Sequence, residues 1–113
     1  MSETTPAPED RLSISVDTSG VAVFVLDGEV DPLTSPMLQR CIDDTLDDGC
    51  QQAVLDMAGV SFVDSAGLRV IADTHRRLHD AGGSLVVRRP SAGLRKLLTV
   101  TGLADHVTVE DGE

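Results

Sequence analysis

The chain has 113 residues, 41% of them hydrophobic, and a formal net charge of −10 at pH 7. That length and composition fit one domain with one core, and no apolar run approaches the roughly 18 residues that a membrane-spanning helix needs. The acidic balance argues against nucleic acid or anionic lipid as a partner of the bulk surface.

Met1 to Asp10 is polar and acidic, with Pro6 and Pro8. It resembles neither a signal peptide nor a transit peptide. It is expected to be a disordered tail on a cytoplasmic protein, leaving residues 11–110 as the domain. Cys41 and Cys50 form no CxxC and have no paired histidine, which fits a reduced compartment and no metal site.

Leu12 to Val16 alternates apolar and polar, as a strand with one wet face does, and Asp17 to Gly20 reads as a turn. Val21 to Leu26 is unbroken apolar, the pattern of a strand covered on both faces. The short turn makes these two an antiparallel hairpin. Asp27-Gly28-Glu29-Val30-Asp31-Pro32 reads as a carboxylate-rich loop. Helical spacing then runs from about Ser35 to Asp48, with Leu38, Cys41, Ile42 and Leu46 inward and Asp43, Asp44, Asp47 and Asp48 toward water. Gly49 ends it. Ala53 to Met57 is the next strand and Gly59-Val60-Ser61 a loop.

A long amphipathic helix follows from Ser65 to about Asp80, with Leu68, Ile71, Ala72, His75 and Leu78 on its apolar face and Arg69, Arg76, Arg77 and His79 on or near its polar side. Ala81-Gly82-Gly83 stops it, and Ser84 to Arg88 is a strand. Pro90-Ser91 opens a third helix with Leu94, Leu97 and Leu98 inward, closed by Gly102, and His106 to Val109 is a last short strand. Strands separated by helices call for crossover connections and parallel pairing. The fold class is therefore α/β: a single domain with a mixed, mostly parallel sheet, an N-terminal antiparallel hairpin strand and three main helices. The loops at the strands' C-terminal ends share a rim, where open α/β sheets place their sites. That makes the Glu29/Asp31 stretch and the Asp64-Ser65 turn neighbours.

Phe62-Val63-Asp64-Ser65-Ala66-Gly67-Leu68 opens the central helix. Asp and Ser are favoured N-caps, either supplying about 1 kcal/mol. Gly67 in the first turn supports no cap and costs helix propensity; it makes sense where something approaches the backbone closely. A serine hydroxyl in an exposed first turn is also a good phosphoryl acceptor, because the product anion meets free N–H groups and the positive end of the dipole.

Enzyme chemistries fit poorly. Asp56 ends a strand, as in phospho-accepting receiver domains, but the acidic pair and nearby lysine of that chemistry are missing; the only lysine is Lys96, in the third helix. A nucleophile elbow needs Gly two residues before the serine, where Val63 stands. There is no phosphate-binding G-x-x-x-x-G-K loop, and no carboxylate pair or metal-ligand cluster stands out. No catalytic residue, cofactor or metal is expected.

Four motifs together resemble the STAS domains of bacterial anti-sigma-factor antagonists: Gly28-Glu29-Val30-Asp31, Val63-Asp64-Ser65-Ala66-Gly67-Leu68, Gly82-Gly83, and Leu97-Leu98-Thr99-Val100-Thr101-Gly102-Leu103. The resemblance covers roughly Arg11 to Val109. It implies a binding protein that engages an anti-sigma factor with ATP-dependent serine-kinase activity, frees a sigma factor, and is switched off when Ser65 is phosphorylated; a serine phosphatase reverses the change. Ala66 stands where members often carry a second hydroxyl, so the acceptor is single. The implied partner-binding residues are Glu29, Asp31, Asp64, Ser65, Ala66, Gly67, Leu68 and Arg69. The alternative within the resemblance is a STAS subunit of a transporter, a lipid-transport complex or a stress-sensing scaffold.

Overall fold

The computed structural model describes residues 7–111. Residues 1–6 of the expected tail lie outside them, and the rest of that stretch runs into a four-residue helical turn, α1 (Pro8–Arg11). Five strands form one sheet in the order β1-β2-β3-β4-β5: β1 (Leu12–Asp17), β2 (Ala22–Val30), β3 (Gln52–Val63), β4 (Ser84–Arg88) and β5 (Thr108–Glu110). The first pair is antiparallel and the other three are parallel, as the strand–helix alternation requires. The main helices are α2 (Ser35–Asp47), α3 (Ser65–Asp80) and α4 (Ala92–Val100), followed by a 3₁₀ turn at Leu103–Asp105.

All three main helices bury a stripe in one cluster: Leu38, Ile42 and Leu46 from α2, Val70, Ile71 and Leu78 from α3, Leu94 and Leu98 from α4. They meet Phe24, Leu26, Leu55, Leu85 and Val87 of the sheet there. The opposite face of β2 is open. Val25, paired with Ser15 on one side and Asp56 on the other, is 45% exposed. The unbroken apolar run of β2 therefore marks one covered face, not two. Asp56 on this face is buried and ion-paired with Arg89. Burial pushes its carboxyl up, but hydrogen bonds from the Ala58 N–H and Arg89, with the Arg89 charge, outweigh that and hold it below its ordinary value.

Two expected loops are strand. Asp27 to Val30 continues β2 and Gly59 to Ser61 continues β3, the two pairing through Asp27↔Gly59, Gly28↔Val60 and Val30↔Val63 with register shifts on either side of Gly28. Gly and Asp signal turns, but in a strand the same residues mark bulges. Gly28 has φ +127°, and a Cβ there would stand 2.1 Å from the Arg11 carbonyl oxygen, so only glycine fits. The last strand starts at Thr108 rather than His106, because the chain after Gly102 first makes the 3₁₀ turn.

The buried stripe of α3 is Gly67, Val70, Ile71, Thr74 and Leu78. Leu68, Ala72 and His75 are only half-buried. The stripe is rotated by about one residue from the expected one, since Gly67 and Thr74 face the core without adding to an apolar periodicity.

Candidate functional site

The site lies where β2 and β3 end and α3 begins. Asp64 is the N-cap of α3: its backbone is extended and its Oδ1 accepts from the Ala66 N–H at 2.8 Å. Its own N–H donates to the Val30 carbonyl at 3.3 Å, tying the helix start to the end of β2. Ser65 is the first helical residue and is exposed. The bland capping role thus falls to Asp64, which leaves the Ser65 hydroxyl at the surface beside the positive end of the dipole.

Gly67 is buried. A Cβ there would lie 2.7 Å from Val30 Cγ1 and 2.7 Å from Val63 Cγ1. The close approach expected at this glycine is real, but it comes from the protein's own valines beneath the helix and not from outside. Gly67 cannot offer a side of the helix to a partner.

The Glu29/Asp31 segment is the expected neighbour, and Asp31 has a local role. It is 7% exposed. Its Oδ1 accepts from the Leu33 and Thr34 N–H groups at 2.9 and 3.0 Å, and Arg11 donates to its Oδ2. The Thr34 N–H first, then the Leu33 N–H and the Arg11 charge, hold the Asp31 carboxyl below its ordinary value against the opposing effect of burial. Arg11 also donates to Glu29 Oε1 at 2.7 Å. Asp31 thus fixes the entry to α2, and Glu29, half-buried, is the more accessible of the two carboxylates. Arg11 and Thr34 were missed in the sequence. Counting the hairpin register back from Leu12↔Gly28 sets Arg11 beside Glu29 and is the signal that finds it.

Two shallow grooves flank the first turns of α3. One, of about 330 Å³, runs between Ser65, Leu68, Arg69 and Ala72 on α3 and the Thr101–Leu103 segment with His106. The other, of about 380 Å³, lies between α3 and the start of α2, where Ala66, Arg69 and Asp73 face Pro32, Ser35 and Gln39. The Ser35 hydroxyl is buried without a hydrogen-bond partner. The ridge between the grooves carries Ser65, Ala66 and Arg69, three of the expected contact residues; Leu68 forms the floor of the first groove with Leu103. Leu33 and Phe62, near this end of the sheet, are 41% and 49% exposed. The Thr101–His106 wall carries no sequence signal that ties it to Ser65.

Among the described residues no side chain is hydrogen-bonded to the Ser65 hydroxyl, and His106 lines the same groove. His75 lies on the same helix, with its ring 5.7 Å from His79 and 5.6 Å from His106. Among the described residues no group of three or more His, Cys, Asp or Glu side chains is placed to hold a metal ion. No helix among the described residues is long and apolar enough to cross a membrane.

A family model described as the STAS domain matches residues 14–113. The chain belongs to the STAS domain family. This STAS domain is 30% identical over 95 residues to the anti-sigma F factor antagonist of Paenibacillus polymyxa, covering 83% of this chain and 81% of that protein. It is 32% identical over 89 residues to the anti-sigma-F factor antagonist RsfB of Mycobacterium tuberculosis, covering 78% and 73%. A solved anti-sigma factor antagonist from Mycobacterium paratuberculosis matches with a TM-score of 0.77 at 31% identity, covering 90% of this chain and 87% of that one. The unphosphorylated form of SpoIIAA matches with a TM-score of 0.74 at 20% identity, covering 90% and 89%, a likeness of fold. The expected kinship with anti-sigma-factor antagonists is borne out, and a regulatory, non-enzymatic protein agrees with these names.

Proposed function

We propose that this STAS domain binds an anti-sigma factor that is also a serine kinase, releases a sigma factor by doing so, and is switched off by phosphorylation of Ser65. The observation that carries the reading is the position of Ser65: exposed, first in α3, with the capping role already taken by Asp64. In the reaction, Ser65 Oγ bonds to the γ-phosphorus of a nucleoside triphosphate held by the partner. The bond from that phosphorus to the bridging oxygen breaks, the diphosphate leaves, and the hydroxyl proton passes to a base on the partner. A serine phosphatase hydrolyses the ester and restores the hydroxyl.

Two nearby candidates are poor acceptors. Ala66 has no hydroxyl, and Ser61 sits in β3, donating to the Gly28 carbonyl at 3.2 Å. The phosphate adds about −1.5 to −2 charges. Against a partner carboxylate about 6 Å away, this gives about 1 kcal/mol of repulsion at a water-like dielectric and about 4–6 kcal/mol at an effective dielectric of about 20, against the about 4 kcal/mol that a thousandfold loss of affinity needs. Desolvation of the covered dianion supplies more, and so does its bulk above the Ser65–Ala66 ridge. Gly67, being buried, contributes none of the clash.

The test is to co-purify the partner from the source cell, incubate it with ATP and Mg²⁺, and map the product by fragment mass spectra. Phosphate on Ser65, absent from Ser65→Ala, is expected. Ser65→Asp should bind the partner at least a hundredfold more weakly. Phosphate on Ser61, or equal binding of Ser65→Asp, refutes the reading. Co-purification with transporter or scaffold subunits in place of a kinase would support the other role of the family.

A further inference from the structure

Arg69 stands one helical turn beyond Ser65, and side chains at i and i+4 are neighbours on a helix surface. Its side chain is 83% exposed, with Nε 3.8 Å from Asp73 Oδ2. Arg76 donates to the other oxygen of Asp73. Asp73 therefore keeps a cation when Arg69 leaves. Ser65 and Arg69 line the same groove, and Arg69 is the one arginine or lysine among the described residues that does so.

We propose that Arg69 is a phosphate clamp in cis: once Ser65 carries its phosphate, the guanidinium turns from Asp73 to the phosphate oxygens one turn back. The inference rests on the reading of Ser65 as the acceptor. The exchange replaces a long contact to a shared monoanionic carboxylate with a charge-assisted pair to a group near two negative charges. A planar guanidinium can give that group two parallel N–H donors. Asp64 already holds the Ala66 N–H on Oδ1, and its charge disfavours a phosphate leaning toward it. The groove side, where Arg69 stands, is the direction left open.

The clamp changes what release means. With Ser65 bare, the start of α3 presents a hydroxyl and a cation held only by its long contact to Asp73. With Ser65 phosphorylated, that cation is spent inside the molecule. The partner meets the added bulk and also loses a positive group to pair with, so the switch withdraws an attraction as well as adding a repulsion.

The experiment uses the full chain with phosphoserine genetically encoded at position 65, so no kinase is needed. The second ionisation of the phosphate is followed by ³¹P NMR across a pH titration. Arg69→Gln should raise it by about 0.5 unit relative to the parent, and Arg69→Lys should recover part of the difference. Arg76→Gln removes the same charge from farther along the helix and should move it much less. Asp64, His106 and the helix dipole are common to all four proteins and cancel in the comparison. An unchanged titration in Arg69→Gln, or an equal shift in Arg76→Gln, overturns the clamp. A kinase that labels another residue refutes the proposed function while this titration still reads the clamp. Ser65 labelled in the cell with an unchanged Arg69→Gln titration refutes the clamp alone.

Discussion

Gly67→Ala adds one methyl group at the point where α3 rests on the ends of β2 and β3. The added carbon would meet Val30 Cγ1 and Val63 Cγ1 at 2.7 Å each, about 1 Å short of an ordinary carbon–carbon contact. Both neighbours are β-branched and stiff at χ1, and Val30 is 1% exposed, so neither retreats freely. Overpacking of this kind costs about 1–3 kcal/mol, and the better helix propensity of Ala offsets less than about 1 kcal/mol of that. The net expectation is a destabilisation of about 1–2 kcal/mol, or a melting temperature lower by about 4–10 °C for a domain of this size. Calorimetry and urea titration of the parent, Gly67→Ala, Val63→Ala and the double variant measure it. Trimming Val63 removes one of the two clashes, so the double variant should be more stable than the sum of the singles predicts by about 1 kcal/mol. Gly67→Ala melting at or above the parent, with additive effects in the cycle, would show that the valines do not set the height of the helix start.

Asp64→Ala removes the acceptor of the Ala66 N–H and should cost about 1 kcal/mol of stability in the same urea titration. Ser65→Asp should leave the melting temperature nearly unchanged or slightly raised, because a negative group at a helix N-terminus gains about 0.3–1 kcal/mol from the dipole while Asp64 repels it; a fall of many degrees would point to a conformational switch. Burial first, then the charges of His106 and His79, depress the His75 pKa below 6.5, with Asp80 opposing. The fold therefore favours neutral His75, unfolding takes up a proton, and thermal stability should fall as pH drops through about 6.5 and below. His75→Gln should flatten that slope, whereas the depressed carboxyls of Asp31 and Asp56 release their stabilisation only below 3.8.

The helices were legible because their apolar spacing and their stops coincide. Gly49 and Gly102, just past α2 and α4, both adopt positive φ, as C-terminal stops do. A cap at Asp64 or Ser65 and the adjacency of the β2 and α3 ends followed from residue type and topology, while the choice of Asp64 came only with the structure. What misled was residue chemistry whose meaning depends on context. Gly28 and Gly59 look like loop residues, yet each sits in a strand where another backbone passes within the space of a Cβ. Asp31 looks like a surface carboxylate until Arg11 is brought beside it by the hairpin. The unbroken run in β2 says nothing about which face lacks a helix, because a valine fits a half-covered sheet as well as a covered one. The Thr101–His106 wall of the groove was beyond reach, since it depends on how α4 turns back toward α3.

Each strand of the sheet pairs only with its neighbours in sequence. A chain growing from its N-terminus can therefore add every new strand to a free edge, without parting a pair already made. Ser65, its cap and the valines beneath the helix start are all supplied by residues up to Gly67, and α3 is complete at Asp80. The surface around Ser65 can therefore take shape before the chain beyond Asp80 has docked, and only the outer wall of its groove has to wait.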